Sequence, residues 1–226
     1  SSVVLMIVTI TYKLVLVLLG LFVLFFQPRI KDTYMQDVMP VMWLGLWLNV
    51  FCVTAMLILV FHPVLARDIM VKGLALIEKM HLMKPRRSRL EKLEASMDQY
   101  RATAVYLKEH IKVLIEVFGI TVFQRFALFA ATWFVYKAFG LSGSSAFVII
   151  ILQGTISVAV DMLPLPGGMG ISEQLFLRIF LPVFGSQLLL PGMLLSRGLG
   201  YYTELILSAL LTIVANFTIG RNVKKG

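Results

Sequence analysis

Apolar residues in this chain come mainly in long unbroken runs rather than at helical or alternating spacing, the pattern of helices surrounded by lipid. Four runs reach the roughly 20 residues that a bilayer core requires. They cover residues 3–26, 38–61, 113–137 and 205–220, the last with preceding turns from residue 188. A fifth run, 144–163, leads into the sequence LPLPGGMGISE at 163–173, where prolines, glycines and a carboxylate interrupt apolar sequence. Backbone without helical hydrogen bonds is tolerated at membrane depth only where protein buries it or water reaches it, so this break is a candidate substrate site. The run after it, 171–184, would reach only about 21 Å against a hydrocarbon thickness of about 30 Å, and reads as a half helix. The pattern predicts an all-α, polytopic integral membrane protein with broken or re-entrant helices.

Only residues 62–112 form a long polar stretch, with eleven Lys and Arg against six Asp and Glu. The positive-inside rule puts it on the cytoplasmic side, which places residues 27–37 outside and Arg221, Lys224 and Lys225 inside. An odd number of crossings must then follow Lys137. Either three elements each cross, or re-entrant pieces accompany one full span. Within the stretch, Leu65, Ile69, Leu76, Ile77 and Met80 alternate with charges as on an interfacial amphipathic helix, which Pro85 ends. Ser88 and Glu91 then form a capping box ahead of a heptad seam at Leu90, Leu93, Met97, Tyr100, Ala104, Leu107 and Ile111. The seam suits an intrachain hairpin or a homo-oligomer. The organisation is one transmembrane domain over 1–226, with 62–112 as a cytoplasmic amphipathic helical hairpin inserted in it.

Composition agrees: 59% of residues are hydrophobic and mean hydropathy is +0.88, against about 45–50% apolar content in soluble domains. The net charge of +9 comes largely from loops between apolar runs, so it reports orientation toward anionic lipid rather than nucleic acid, for which no reader motif is present. Cys52 is the single cysteine, which excludes an internal disulfide and a cysteine-based metal cluster. No cleavable signal peptide is evident at the start of the chain, and further residues are expected upstream.

The chemistry concentrates at the break. Gly167, Gly168 and Gly170 permit positive φ and close approach of a ligand, while Pro164 and Pro166 donate no backbone hydrogen bonds. A helix beginning near Ser172 would turn its open N–H groups and positive dipole end toward the glycines, an arrangement that binds phosphate or carboxylate. No Lys-Ser or Lys-Thr follows the glycines, so this is not a nucleotide-binding P-loop. The bland alternative is a plain turn between two helices.

Ionisable residues inside apolar runs are costly unless paired or hydrated. They are Lys13, Glu116, Arg125, Asp161, Glu173, Arg178, Arg197 and Glu204. Lys13 is expected to snorkel, and Glu116 and Glu204 to sit near an interface. Arg125 is expected to face the bundle interior, and Arg197 and Glu204 to share one helical face with Tyr201 between them. Arg125, Asp161, Glu173 and Arg197 together suit a zwitterionic or cationic headgroup, with arginine for phosphate and carboxylate for ammonium. Structural ion pairs are the competing reading. No catalytic constellation emerges: His62, His81 and His110 lack ligand spacing, and nothing supplies a nucleophile. No cofactor or metal is expected.

The residues LPLPGGMGISEQ contain P-G-G-x-G-x-x-E, running from Pro166 to Glu173. This resembles the signature of the lysylphosphatidylglycerol synthase transmembrane family, the flippase-like part of the multiple peptide resistance factor and its stand-alone relatives. The order of a span, a basic stretch, a polar-centred span, the broken motif and a helix bearing Arg197 is also similar. The resemblance implies translocation of a phospholipid or glycolipid with an aminoacyl-phosphatidylglycerol-like headgroup across the bacterial cytoplasmic membrane, without enzymatic chemistry, in protection against antimicrobial peptides. It further implies additional spans upstream and an aminoacyl-transfer or lipid-modifying partner. Other classes stay open: a membrane subunit that presents lipid to an enzyme, or a small-solute or ion transporter. The topology is testable on sealed cells. External protease is expected to leave the chain between Lys84 and Arg89 intact, and a cut there would reverse the assigned sidedness.

Overall fold

A computed structural model describes residues 2–61, 110–163 and 168–223, all of them in helices or short turns. The expected hairpin within 62–109 lies outside the described residues, as do Pro164, Pro166 and Gly167. The helices are α1 (Ser2–Phe26), α2 (Pro28–Tyr34), α3 (Met39–Phe61), α4 (Ile111–Ala138), α5 (Ala146–Val160), α6 (Ile171–Ile179), α7 (Leu181–Arg197) and α8 (Thr203–Val223). A 3-10 turn, Gln36–Val38, precedes α3, and a π turn, Gly198–Tyr202, joins α7 to α8. Four stretches are long and apolar enough to cross a membrane: Val4–Phe26, Gln36–Leu59, Ile111–Ala138 and Leu181–Ala215. The protein is therefore all-α and polytopic. Phe25, Trp47, Phe51, Phe123 and Leu211 are exposed, as they must be where lipid is the solvent.

The chain divides into two compact units, one from residues 1–18 and 46–123, the other from 19–45 and 124–226. In the first, Met6, Ile7 and Ile10 of α1 form a buried cluster against Met56 of α3 and Leu114 and Val117 of α4.

The second unit holds the broken motif, and its contacts fix the path of α5 and α6. Helix α5 starts at Ser145, whose hydroxyl accepts from the Val148 N–H at 3.3 Å. Phe147 in its first turn meets Phe22, in the last turns of α1, edge to face. Its other end lies deeper, where Val158 and Ala159 pack on Gly45, six residues into α3 and so about 9 Å from its start. Helix α6 then returns. It packs on the Gln36–Val38 turn, and beyond its end Phe184 stacks edge to face on Tyr136 and Phe139, at the end of α4. At about 22 and 14 Å, α5 and α6 are both too short to cross. They form a re-entrant hairpin that enters and leaves at the Gln27–Val38 end, and the continuous α7–α8 stretch supplies the full span. Of the two arrangements compatible with charge parity, this is the second.

The sequence predicted one half helix over 171–184. Instead α6 ends at Ile179 with Phe180 as its C-cap, because Pro182 opens the next helix without a donor for the preceding turn. Residue 185, a glycine at φ 68°, breaks the chain again before the long descent. Three phenylalanines lock this corner, with Phe176 and Phe180 stacked at 4.3 Å and Phe184 packed against both.

Between helices the grip includes small residues and a polar pair. Thr132 of α4 donates to Gln153 of α5 at 3.1 Å, and a Cβ at Gly45 would fall 2.5 Å from the Ala159 Cα. Such backbone approach is how helices associate without a hydrophobic driving force. Gly45→Ala is thus expected to lower stability by about 1–3 kcal/mol through overpacking. Gly119→Ala, in a helix with open space around it, should be neutral or stabilising by up to about 1 kcal/mol. Thermal unfolding in detergent reads both, and equal effects would refute the close contact.

Candidate functional site

The site is the floor of the re-entrant hairpin. Helix α5 ends with Asp161 as its C-cap, the Asp161 N–H bonding to the Ser157 carbonyl at 3.0 Å. The chain reaches α6 through Gly168 at φ 64° and Gly170 at φ 84°, left-handed backbone that glycine adopts without strain. Gly168 is also pressed against α5: a Cβ there would lie 2.9 Å from Val160 Cγ2. Gly170 faces open space and is exposed, as is Met169, so the turn has one packed wall and one open one.

Gly170 is the N-cap of α6 and Glu173 stands three residues on. That spacing lets the Glu173 carboxylate reach back to the cap. Its Oε2 accepts from the Gly170 N–H at 2.6 Å. The buried Ser172 hydroxyl shares its single proton between the Gly168 carbonyl at 2.8 Å and Glu173 Oε2 at 3.0 Å. The other carboxylate oxygen, Oε1, pairs with the Arg197 guanidinium at 2.8 Å. Arg197 comes from the far end of α7, eleven residues beyond Ser186 and so about 17 Å along the descending helix. The glycine turn and the arginine therefore meet well inside the span.

This corrects one expectation. The α6 start was expected to hold open N–H groups for a phosphate, but the protein's own carboxylate already fills it. A helix start favours any anion, and Glu173 is the nearest. Glu173 and Arg197 form an ion pair. Neither is sealed, since their side chains are 26% and 16% exposed.

Of the predicted site residues, Gly168, Gly170, Ser172, Glu173 and Arg197 come together in one cluster. Asp161 is half-buried at the end of α5, next to the Val160 that packs on Gly168. Arg125 is half-buried on α4. A π turn, Gly198–Tyr202, follows Arg197, and the Thr203 hydroxyl donates to the Gly198 carbonyl across it at 3.0 Å. Lys13, expected to snorkel, is buried, while Glu116 is exposed. Sequence reasoning missed the π turn next to Arg197. Its signal was the glycine pair in Gly198-Leu-Gly200, which weakens the α register locally.

A polytopic all-α membrane protein with a glycine-broken re-entrant hairpin closed by an ion pair is the class that fold and site define. The chain belongs to the family of the lysylphosphatidylglycerol synthase TM region, whose pattern matches residues 1–208. This bears out the resemblance carried by the P-G-G-x-G-x-x-E motif, and it gives the protein a role related to membrane lipid. Neither a curated protein nor a solved structure matches the chain.

The two described glycines separate experimentally. Alanine at either position costs about 1–2 kcal/mol for left-handed backbone, but Gly168→Ala adds a clash with Val160 and should lower the melting temperature more than Gly170→Ala. Equal losses would show that the turn does not rest on α5.

Proposed function

We propose that the protein moves a phospholipid headgroup across the membrane, one that carries phosphate and an ammonium group as aminoacyl-phosphatidylglycerol does, and makes or breaks no covalent bond in it. The observation that supports this is the partly exposed Glu173–Arg197 pair, held at the floor of a re-entrant hairpin with one open side. A lone anion arriving there meets Glu173, and a lone cation meets Arg197. A headgroup bearing both charges can replace the pair partner for partner, phosphate on the arginine fork and ammonium on the carboxylate. Gly170 leaves room beside the exchange, and the acyl chains stay in lipid along the apolar outer faces. Asp161, at the end of α5, is a second acceptor for ammonium or hydroxyl groups, and Arg125 a second cation on α4. The setting is the bacterial cytoplasmic membrane, and a partner that attaches the aminoacyl group would supply the lipid.

Leaflet distribution of a labelled aminoacyl-phosphatidylglycerol in proteoliposomes, measured beside melting temperature, tests this reading. Glu173→Gln keeps the shape and removes the charge, and should slow translocation by about tenfold or more, the scale of one charged hydrogen bond. Arg197→Ala should do the same, and Arg197→Lys should recover only part, because a point charge lacks the bidentate fork. Normal translocation by folded Glu173→Gln would remove the pair from the mechanism.

A further inference from the structure

Helix α5 carries its polar residues on the wrong side for lipid. From Ile149 to Val160 every residue is buried except Ile150, Gln153, Ser157 and Val160, which are half-buried. Their spacing of three, four and three puts them on one side of the helix. A side open to lipid should be apolar, because a polar group in hydrocarbon finds no partner. Yet the two central positions hold an amide and a hydroxyl. On the buried side the single polar residue, Thr155, donates to the Ile151 carbonyl at 2.9 Å.

Gln153 is also held in one orientation. Thr9, Thr11, Thr121 and Thr155 each donate to the carbonyl four residues back in their own helix. Thr132 of α4 donates across to Gln153 Oε1 at 3.1 Å instead. That bond fixes which end of the amide meets α4, and so turns the NH2 group away from Thr132. Among the described residues none accepts from this NH2 group, and it is not sealed. Ser157, one turn deeper, reaches only the Gln153 carbonyl at 3.5 Å, the outer limit of a hydrogen bond. Val160 follows, about 10 Å from Gln153 along the axis, and packs on Gly168. The polar strip therefore runs down α5 to the glycine turn that carries Glu173.

We propose that Gln153 and Ser157 line the route of the headgroup to the Glu173–Arg197 pair, and that the oriented Gln153 amide selects for phosphate by donating to its oxygens. The inference rests on the translocation reading and adds to it a contact made before the headgroup reaches the pair.

The test reads wetting and binding, not transport. Cys52 is the single cysteine, so in a Cys52→Ala background one introduced cysteine is the only target of a water-soluble methanethiosulfonate. Phe123→Cys is the lipid-facing control, at a position 77% exposed. In detergent micelles Ser157→Cys should react about tenfold or more faster than this control despite its lower exposure, because only a hydrated thiol ionises and reacts. Added phosphatidylglycerol should slow the reaction at Ser157→Cys, and diacylglycerol, which lacks phosphate, should not.

Two further changes in the Ser157→Cys protein isolate Gln153. Gln153→Glu keeps an acceptor for Thr132 and loses the donor, and Gln153→Leu removes the amide without adding charge. Each should raise the phosphatidylglycerol concentration needed for protection by about tenfold or more, the scale of one hydrogen bond to a charged group. A role limited to holding Thr132 would leave Gln153→Glu protected like its parent. Undiminished protection in either folded variant, or Ser157→Cys labelling no faster than Phe123→Cys, overturns the inference. Wild-type protein that moves no lipid while Gln153-dependent protection persists would refute translocation and leave this contact standing.

Discussion

Every backbone group at membrane depth needs a partner from the protein itself, and the floor of the hairpin is where this constraint presses hardest. Two helices stop there, at Val160 and at Ile171, each leaving polar groups that a continuing helix would have used. The chain answers with its own side chains: Glu173 takes the Gly170 N–H, and Ser172 turns to the Gly168 carbonyl. That solution puts a negative charge inside apolar sequence. Arg197 then has to be brought to it, and the long descent of α7 does so. Cap, ion pair and helix path are thus successive consequences of one interrupted helix.

The hairpin can penetrate because its neighbours let it. Gly45 admits the backbone of Ala159 where any side chain would hold α5 off α3, and Gly154 does the same beneath Leu19 and Phe129. At the other end the contacts are large instead of small. Phe176, Phe180 and Phe184 fill the corner against Tyr136, whose hydroxyl also accepts from the Ser144 N–H at 2.8 Å and so fastens the approach to α5. Small residues set the depth of the hairpin, and aromatic ones set where it returns.

Much of this was legible in the sequence, for identifiable reasons. Unbroken apolar runs marked the spans, and P-G-G-x-G-x-x-E marked both the break and the family, because glycine and proline leave few alternatives for the backbone. The E-at-N3 spacing was equally plain in Gly170 to Glu173, yet it was read as an open anion site, since composition does not say which anion arrives first. Pairing across helices was the harder part. Nothing local to Glu173 names Arg197 over Arg125 or Arg178. Lys13 was misjudged for the same reason: whether a lysine reaches the interface depends on which helices surround it, not on its own neighbours.

A hairpin that goes in and comes out by the same end contributes nothing to the count of crossings. Lengthening it, shortening it or exchanging its turn leaves the orientation of α7, α8 and everything after them unchanged. The glycine turn and Glu173 can therefore be rebuilt without inverting the rest, whereas one added or lost span elsewhere would reverse the direction of α7 and α8.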